Sequence, residues 1–317
     1  MRILAFKTGH DPAACLLEDG RIIAAVEEER FVRVKHAPCY FPEHAVRYCL
    51  SVRNLKLDNI DYIVFAREKN LKTFLKVKWY FLAHPPKNFT ELHYALSLLK
   101  VQVYGLWEAM WLRAPYQQIF KIIGGSRRKV YSFDHHSCHA SSAYYGSGFD
   151  DAAVLCMDGK GEATSISMWH GKDGKLRLLK RYGIFDSLGY LYGSITDFLG
   201  LRINDGEYKV MGLAPYGKPV YKMDDVISVD DRGVNINTRY SLYPLSIRNL
   251  ETRFPGVAKE YREDAPPQPN TDIASTLQDR LEKAALWYVK ELLKKTQNTK
   301  NPNLCLAGGV ALNVKMN

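Results

Sequence analysis

The sequence predicts an α/β protein made of two related subdomains that enclose a cleft. At 317 residues the chain is longer than the roughly 250–300 residues at which a single hydrophobic core stops growing. Its composition, 46% hydrophobic and 25% charged, is that of an ordinary globular protein. A buried strand, a glycine-bearing loop and a β-hairpin follow one another twice, about 150 residues apart, which indicates an internal duplication.

The first copy of this repeat opens the chain. Residues 2–7 form a short apolar run typical of a buried strand, and the polar loop after it carries His10 and Asp11. A hairpin is predicted over residues 14–27, because Asp19-Gly20 in its middle is a strong turn signal.

The first subdomain is predicted to cover residues 1–150. Its charged stretch 27–36 is interpreted as a solvated strand end and loop, with the lining of a polar-ligand cleft as the alternative. Apolar spacing predicts a helix at 42–50 and a strand at 62–66. From about 67 to 129 the apolar residues recur at helical spacing between proline breaks, which predicts a helical insertion.

The insertion is basic: it holds twelve of the 44 Lys and Arg residues and three acidic ones, in a chain of net charge +10. Such a surface suits RNA, a membrane face or an anionic ligand. Basic side chains that solvate helix faces are the simpler explanation. Nucleic acid is therefore an alternative partner and not the expected one.

A histidine-rich stretch at residues 132–143 follows the insertion. On the helix predicted there, His135 and His139 fall at i and i+4, about 40° apart around the axis. This spacing suits two imidazoles that bind one divalent metal. A polar surface pair or a helix N-terminal feature is the alternative. A third protein ligand or a substrate oxygen would have to complete the site, and Cys138 is a weaker candidate.

The second copy of the repeat begins the second subdomain, predicted at residues 151–317. An apolar strand at 152–157 runs into Asp158-Gly159-Lys160-Gly161-Glu162, and a hairpin is predicted after it. Small residues let backbone N–H groups approach phosphate oxygens closely, so the loop can form an anion nest. Duplicated subdomains of this kind are the architecture of actin-like ATPases, which include sugar kinases and heat-shock ATPases. There the two loops face each other across a nucleotide cleft.

Three further segments follow in this subdomain. Residues 187–199 predict a core helix capped by Ser187. Four helix breakers surround Lys209, which predicts a loop that holds a cation near a ligand. A long helix is predicted from Thr271 or Asp272, with Gln278 and Glu282 on a solvent-facing side.

The last segment is an apolar strand that runs into Gly308-Gly309 and then into helix-forming residues. This order places backbone N–H groups at a helix N-terminus, where they can face a ligand. A simple tight strand-to-helix turn is the alternative.

Cysteine usage and hydropathy favour a cytoplasmic protein. The six cysteines contain no C-x-x-C pair, which argues against a disulfide scaffold or a zinc ribbon. The N-terminus has no signal-peptide core, and no uncharged apolar run reaches the roughly 18 residues that a membrane span needs. We therefore expect no membrane partner.

Several motifs together resemble one family, the O-carbamoyltransferases typified by nodulation protein U and the antibiotic carbamoyltransferases. They occur in family order along nearly the whole chain. The matching stretches are Gly9-His10-Asp11, Glu27-Glu28-Glu29-Arg30-Phe31 with Lys35-His36, Asp134-His135-His136 with His139-Ala140, Asp158-Gly159 with Gly161-Glu162, Lys209 to Gly217, and Gly308 to Asn313.

The resemblance implies an actin-like ATPase fold close to the tRNA-threonylcarbamoyl transferase domain. It implies that a carbamoyl-adenylate, made from carbamoyl phosphate and ATP in a second, synthase-like domain, passes its carbamoyl group to the hydroxyl of a small-molecule acceptor. His135 and His139 would bind a divalent metal, expected to be Fe²⁺. His10 and Asp11 are the expected catalytic residues. The residues expected to contact the nucleotide are Asp158, Gly159, Gly161, Lys209, Gly212, Gly308, Gly309 and Asn313.

The sequence departs from the family pattern at its end. The family's third metal ligand is an aspartate downstream of the G-G-V-A-L-N motif, whereas this chain stops at Asn317. We therefore expect that ligand and the synthase-like domain beyond residue 317, and incomplete turnover by these residues alone. A homodimer is compatible with these features.

Two other functions remain open. One is a nucleotide-binding or RNA-contacting regulatory module that uses the same cleft without transferring a group. The other is a sugar kinase, although kinases hold Mg²⁺ with carboxylates and water rather than with paired histidines.

Overall fold

The chain folds into two compact units. The computed structural model describes residues 1–38, 40–66, 70–111, 117–126, 130–257, 268–296 and 303–317. Residues 1–76 and 99–138 form the first unit, and residues 77–98 and 139–317 form the second. The predicted insertion contributes to both units, and parts of it lie outside the described residues.

The described residues form eleven strands and eleven α-helices. The strands are β1 (Arg2–Lys7), β2 (Ala13–Glu18), β3 (Arg21–Glu27), β4 (Tyr62–Phe65), β5 (Val130–Ser132), β6 (Asp151–Gly161), β7 (Thr164–Lys172), β8 (Lys175–Gly183), β9 (Ile227–Asp230), β10 (Gly233–Ile236) and β11 (Leu304–Ala307). The helices are α1 (Glu29–Val32), α2 (Glu43–Ser51), α3 (Asn70–Ala83), α4 (Phe89–Trp111), α5 (Gln118–Ile122), α6 (His135–Ser147), α7 (Leu188–Phe198), α8 (Glu207–Leu213), α9 (Thr238–Ser241), α10 (Leu245–Arg253) and α11 (Gln268–Thr296).

The first unit is built on a five-stranded sheet of order β3-β2-β1-β4-β5. β1 pairs antiparallel with β2 and parallel with β4, and β4 pairs parallel with β5. Leu4 and Phe6 of β1 alternate into the core, where they pack with Ala45, Val46 and Cys49 of α2. This period of two is what a strand with one face on a helix requires.

The second unit repeats the same arrangement. Its sheet has the order β11-β6-β7-β8, with antiparallel β6–β7 and β7–β8 pairs and a parallel β11–β6 pair. In both sheets the first strand therefore carries an antiparallel hairpin on one side and a parallel strand on the other. The duplication and the actin-like fold class predicted from the sequence are confirmed.

Helices α7 and α11 supply most of the helical part of the second core. Ser187 caps α7, since its hydroxyl oxygen accepts a hydrogen bond from the Tyr190 N–H at 3.0 Å, as the sequence predicts. Leu191 and Ile195 of α7 pack in one cluster with Leu277 of α11. The start of α11 at Gln268 is a few residues earlier than predicted.

Three predictions about local structure are wrong. The predicted loop around Lys209 is helix α8, whose buried residues Val210 and Leu213 pack into the core. Gln278 does not face solvent: its side chain is 2% exposed. The predicted tight loop at 158–162 is the end of β6, which is irregular between Met157 and Gly161.

Candidate metal and nucleotide site

Helix α6 carries both predicted metal-ligating histidines. Its first turn is closed by Asp134, whose carboxylate accepts hydrogen bonds from the Ser137 N–H at 3.0 Å and the Ser137 hydroxyl at 2.6 Å. Asp134 rather than a histidine therefore caps the helix. His135 and His139 lie one turn apart on this helix.

The later turns of α6 lie against the second sheet. Ala140 and Tyr144 pack in one buried cluster with Ala152, Val154 and Cys156 of β6. This packing brings the histidine end of the helix beside the end of the strand. The Nε2 atom of His139 lies 3.7 Å from the Oδ2 atom of Asp158.

Asp158 is the third member of a group that could hold a metal. The ligand atoms of His135, His139 and Asp158 lie within 4.8 Å of one another, and all three side chains are half-buried. Two imidazoles and one carboxylate are the donor set of non-haem Fe²⁺ sites with open positions. These residues therefore fit the divalent metal that the sequence predicts. From the sequence, Asp158 is expected to contact the nucleotide, and the third metal ligand is expected beyond residue 317.

The Gly308-Gly309 turn orients the Asp158 carboxylate. The Gly309 N–H donates to Oδ1 of Asp158 at 3.1 Å, which leaves Oδ2 on the side of His139. Hydrogen bonds of this kind fix the direction in which a ligating carboxylate presents its lone pairs. The glycine turn thus positions one of the three candidate metal ligands.

Gly308 has no room for a side chain. Its φ is +91°, and a Cβ atom there would lie 2.2 Å from the Met157 carbonyl oxygen. We expect Gly308→Ala to lower the free energy of unfolding by at least about 2 kcal/mol, from backbone strain and the overlap together. Urea denaturation measures the change.

The matched control for this variant is Gly212→Ala. Gly212 lies in α8, and its Cβ position has no neighbour within 4 Å. Alanine there should raise stability by about 0.5–1 kcal/mol, because alanine is the better helix former. Equal effects of the two substitutions would contradict the close approach at Gly308.

The backbone after Asp158 is held against the start of α7. The Ser187 hydroxyl donates to the Gly159 carbonyl oxygen at 2.7 Å. A Cβ atom on Gly189 would lie 2.7 Å from the Gly159 nitrogen, so only glycine permits this approach. The sequence predicted Ser187 as a helix cap but gave no signal for its second role, which depends on a contact 28 residues away.

Asn313, predicted to contact adenosine, is fixed by Gln278. The two side-chain amides exchange hydrogen bonds of 2.9 and 3.0 Å, and Gln278 also donates to Glu282 at 2.9 Å. The Tyr192 hydroxyl donates to the Gln278 oxygen at 3.3 Å. The predicted nucleotide residues Lys209 and Gly212 lie on α8, and their role stays a prediction.

A separate cluster in the first unit contains His10 and Asp11. The Asp11 carboxylate bonds the Nδ1 atom of His10 at 2.5 Å and the Nδ1 atom of His36 at 2.7 Å. The two imidazole rings stack with centroids 4.6 Å apart. Burial raises the pKa of Asp11, but its hydrogen bonds with His36 and His10 outweigh burial and leave that pKa below its ordinary value.

The backbone brings these three residues together. The Asp11 N–H donates to the His36 carbonyl oxygen at 3.1 Å, and the His36 N–H donates to Glu29 at 2.6 Å. Asp11 and His36 have φ values of +52° and +61°, in the left-handed region. In the sequence His36 is visible only as part of a motif, and no spacing signal places it beside His10.

The charged residues of the neighbouring stretch 27–30 have different roles. Glu28 is 1% exposed, and its carboxylate accepts from the N–H groups of His44 and Ala45, so it caps α2. Glu27 and Arg30 form an ion pair at 3.2 Å beside a cavity of about 480 Å³. Glu28 is therefore a buried cap, whereas Glu27 and Arg30 line the cavity, and the polar-ligand cleft stays a prediction.

A cavity of this size accommodates a small molecule. Its floor is apolar, from residues of β1, β2 and β3, and its charged members are Lys7, Glu27 and Arg30.

The family described as "Carbamoyltransferase N-terminus" matches residues 2–317. The "Uncharacterized protein sll1178" of Synechocystis sp. is 36% identical over 319 residues, which cover 97% of this chain and 50% of that protein. "Nodulation protein NolNO" of Sinorhizobium fredii is 32% identical over 318 residues, which cover 97% of this chain and 42% of that protein.

Among solved structures, HypF of T. kodakarensis is similar to 99% of this chain and 43% of its own, with a TM-score of 0.48 and 13% identity. In the described part of the chain, no helix is long and apolar enough to cross a membrane. This chain spans about half of the length of the curated relatives, 50% and 42% for the two above. Because this family model matches residues 2–317, the chain belongs to the carbamoyltransferase family and corresponds to the domain described as the carbamoyltransferase N-terminus.

Proposed function

We propose that this chain transfers a carbamoyl group from carbamoyl-adenylate to the hydroxyl of a small acceptor molecule. The observation that carries the proposal is the group of His135, His139 and Asp158, with the Gly309 N–H on the carboxylate. This group suits a divalent metal next to a loop that can approach phosphate. Membership of the carbamoyltransferase family supports the choice of a carbamoyl group as the group that is transferred.

His135, His139 and Asp158 would hold the metal, with Fe²⁺ the ion that the donor set favours. When bound, such an ion acts as a Lewis acid for phosphate oxygens and stabilises their negative charge. The protein's own contribution is orientation. Asp134 closes the helix that carries the imidazoles, and Gly309 directs the carboxylate.

His10 is the group that would accept the acceptor's proton. Its Nδ1 atom bonds to Asp11, so its Nε2 atom can act as the base. The acceptor oxygen attacks the carbamoyl carbon, a new C–O bond forms, and the bond between that carbon and the phosphate oxygen breaks. AMP leaves with the electron pair, and the acceptor's proton passes to His10. Asp11 stabilises the imidazolium that results, and His36 holds the second carboxylate oxygen.

The acceptor would bind in the cavity of the first unit. Its apolar floor and its three charged side chains, Lys7, Glu27 and Arg30, suit a hydroxylated molecule with both apolar and polar faces. The donor would be made from carbamoyl phosphate and ATP by a synthase-like domain outside residues 1–317, in keeping with the greater length of the relatives.

The experiment supplies carbamoyl-adenylate and Fe²⁺ to the chain without oxygen, together with a panel of sugars and polyols. Mass spectrometry follows the acceptors, and chromatography follows AMP. We expect one or more acceptors to gain a carbamoyl group, with an equal amount of AMP formed above the level without acceptor. AMP release that no acceptor accelerates, together with salt-dependent binding of tRNA, would favour the regulatory RNA-contacting module instead.

A further inference from the structure

The cluster of His10, Asp11 and His36 in the first unit has the donor atoms of a second metal site. One ligand atom from each residue lies within 4.8 Å of the other two. The Asp11 carboxylate stands between the two imidazoles, with its oxygens 2.5 Å from Nδ1 of His10 and 2.7 Å from Nδ1 of His36. A metal ion bound by these atoms would replace the hydrogen bonds that now join them.

This donor set suits zinc. Two imidazoles and one carboxylate are the ligands of catalytic zinc sites, which keep a fourth position open. Donors around a tetrahedral zinc ion stand about 3.3 Å apart, because the bonds are about 2.0–2.2 Å long. The present N–O separations are shorter, so the side chains must open by less than about 1 Å. The His10 side chain is 45% exposed, which leaves room for this movement.

Zinc also binds such a site more tightly than the ions expected on α6. Sites made of nitrogen and oxygen hold Zn²⁺ more strongly than Fe²⁺ or Mn²⁺. The group on α6 would gain a phosphate oxygen from the nucleotide, which adds a ligand for a weaker-binding ion. The proposed function gives the His10 cluster no such oxygen, so Fe²⁺ and Mn²⁺ should bind there poorly.

The backbone holds the three donors together. Gly9, Asp11 and His36 have φ values of +98°, +52° and +61°. Residues other than glycine persist in this left-handed region where surrounding contacts hold them, and they cluster at functional sites. The Asp11 N–H donates to the His36 carbonyl oxygen at 3.1 Å, and the His36 N–H donates to the Glu29 carboxylate at 2.6 Å. Such bonds orient the ligands before an ion binds.

We propose that His10, Asp11 and His36 bind Zn²⁺, and that this ion inhibits carbamoyl transfer. Coordination through Nδ1 of His10 leaves the proton of the neutral imidazole on Nε2. The Nε2 atom then has no lone pair with which to accept the proton of the acceptor hydroxyl. The inhibition rests on the proposed function, which makes His10 the base, whereas the zinc site itself does not.

Calorimetry with Zn²⁺ alone tests the site in the His135→Ala/His139→Ala variant, which lacks the imidazoles of the other group. We expect this variant to bind one Zn²⁺. Adding His10→Ala should lower the affinity at least about tenfold, or about 1.4 kcal/mol, because one of three ligands is lost. Adding His36→Ala instead should have the same effect.

The matched control is His170→Ala in the same background. The Nε2 atom of His170 bonds the Asp151 carboxylate at 2.9 Å, but among the described residues this pair is not part of a group of three donors. Its removal should leave the Zn²⁺ affinity unchanged. Equal Zn²⁺ affinity with and without the His10 imidazole would overturn the site, and so would a failure to bind Zn²⁺.

A Zn²⁺ titration of carbamoyl transfer at constant Fe²⁺ tests the inhibition. We expect His36→Ala, which retains His10, to need at least about tenfold more Zn²⁺ for half inhibition than the wild type. Equal sensitivity of the two proteins would show that zinc acts elsewhere and would overturn the inhibitory role. The binding titration needs no transfer, so failure of the proposed function, with no transfer by the wild type, is distinguished from failure of the zinc site.

Discussion

The His135→Ala/His139→Ala variant is expected to transfer carbamoyl groups at least about 100-fold more slowly than the wild type. The physical reason is the loss of the Lewis acid, which stabilises the transition state by several kcal/mol. A change of about 1.4 kcal/mol in the activation free energy changes the rate tenfold. The remaining Asp158 carboxylate cannot hold a transition metal alone. Initial rates of AMP formation with Fe²⁺ and a carbamoyl acceptor measure the effect.

The fold should survive this change, since both imidazoles are half-buried and Asp134 caps α6 independently. His93→Ala is the control, because His93 is an exposed histidine on α4, in the unit that holds His139. A thermal melt confirms that both variants are folded. Transfer at the wild-type rate by the double variant would show that α6 is a structural helix and not a metal site.

The second large effect is expected from His10. Without its imidazole the acceptor hydroxyl has no base, and His10→Ala should lower kcat by about 10²–10⁴-fold. Affinity for AMP and for Mn²⁺ should stay unchanged, because His10 is not a member of the group of His135, His139 and Asp158 that would hold the metal. Single-turnover measurements with preformed carbamoyl-adenylate separate this chemical step from binding.

Two further variants distinguish the roles within the His10 cluster. Asp11→Asn keeps the shape but removes the charge that bonds both imidazoles, and its kcat should also fall. His36→Ala should have a smaller effect, about tenfold, if His36 only steadies the carboxylate. A larger loss in His36→Ala than in His10→Ala would reverse the assignment of the base.

The sequence predicted the features that depend on neighbouring residues. The strand and hairpin of each repeat follow from apolar runs and Asp-Gly turns, so the duplication could be recognised before the sheets were known. The i and i+4 spacing of His135 and His139 is likewise a local property of one helix.

The third member of the metal group could not be predicted in the same way. Asp158 meets His139 because Ala140 and Tyr144 pack against β6, and this contact joins residues distant in the chain. The hydrogen bond from Gly309 crosses 151 residues. Contacts of this kind cannot be predicted from the spacing of residues along the sequence.

Predictions based on residue polarity or on helix breakers were wrong where the side chains are buried. Gln278 was assigned to solvent because it lies off the apolar stripe of α11, yet Asn313 satisfies its amide in the buried interior. Breakers around Lys209 predicted a loop, whereas burial of Val210 and Leu213 stabilises a helix.

Calorimetric titration of Mn²⁺ with and without ADP tests the central claim most directly. With His135, His139 and Asp158 as ligands, we expect the wild type to bind one ion and to bind it more tightly with ADP, whose phosphate oxygen fills an open position. Asp158→Asn should lose at least about tenfold in affinity, and His135→Ala/His139→Ala should lose binding altogether. Equal Mn²⁺ affinity in the wild type and the double variant, with ADP present, would contradict the account.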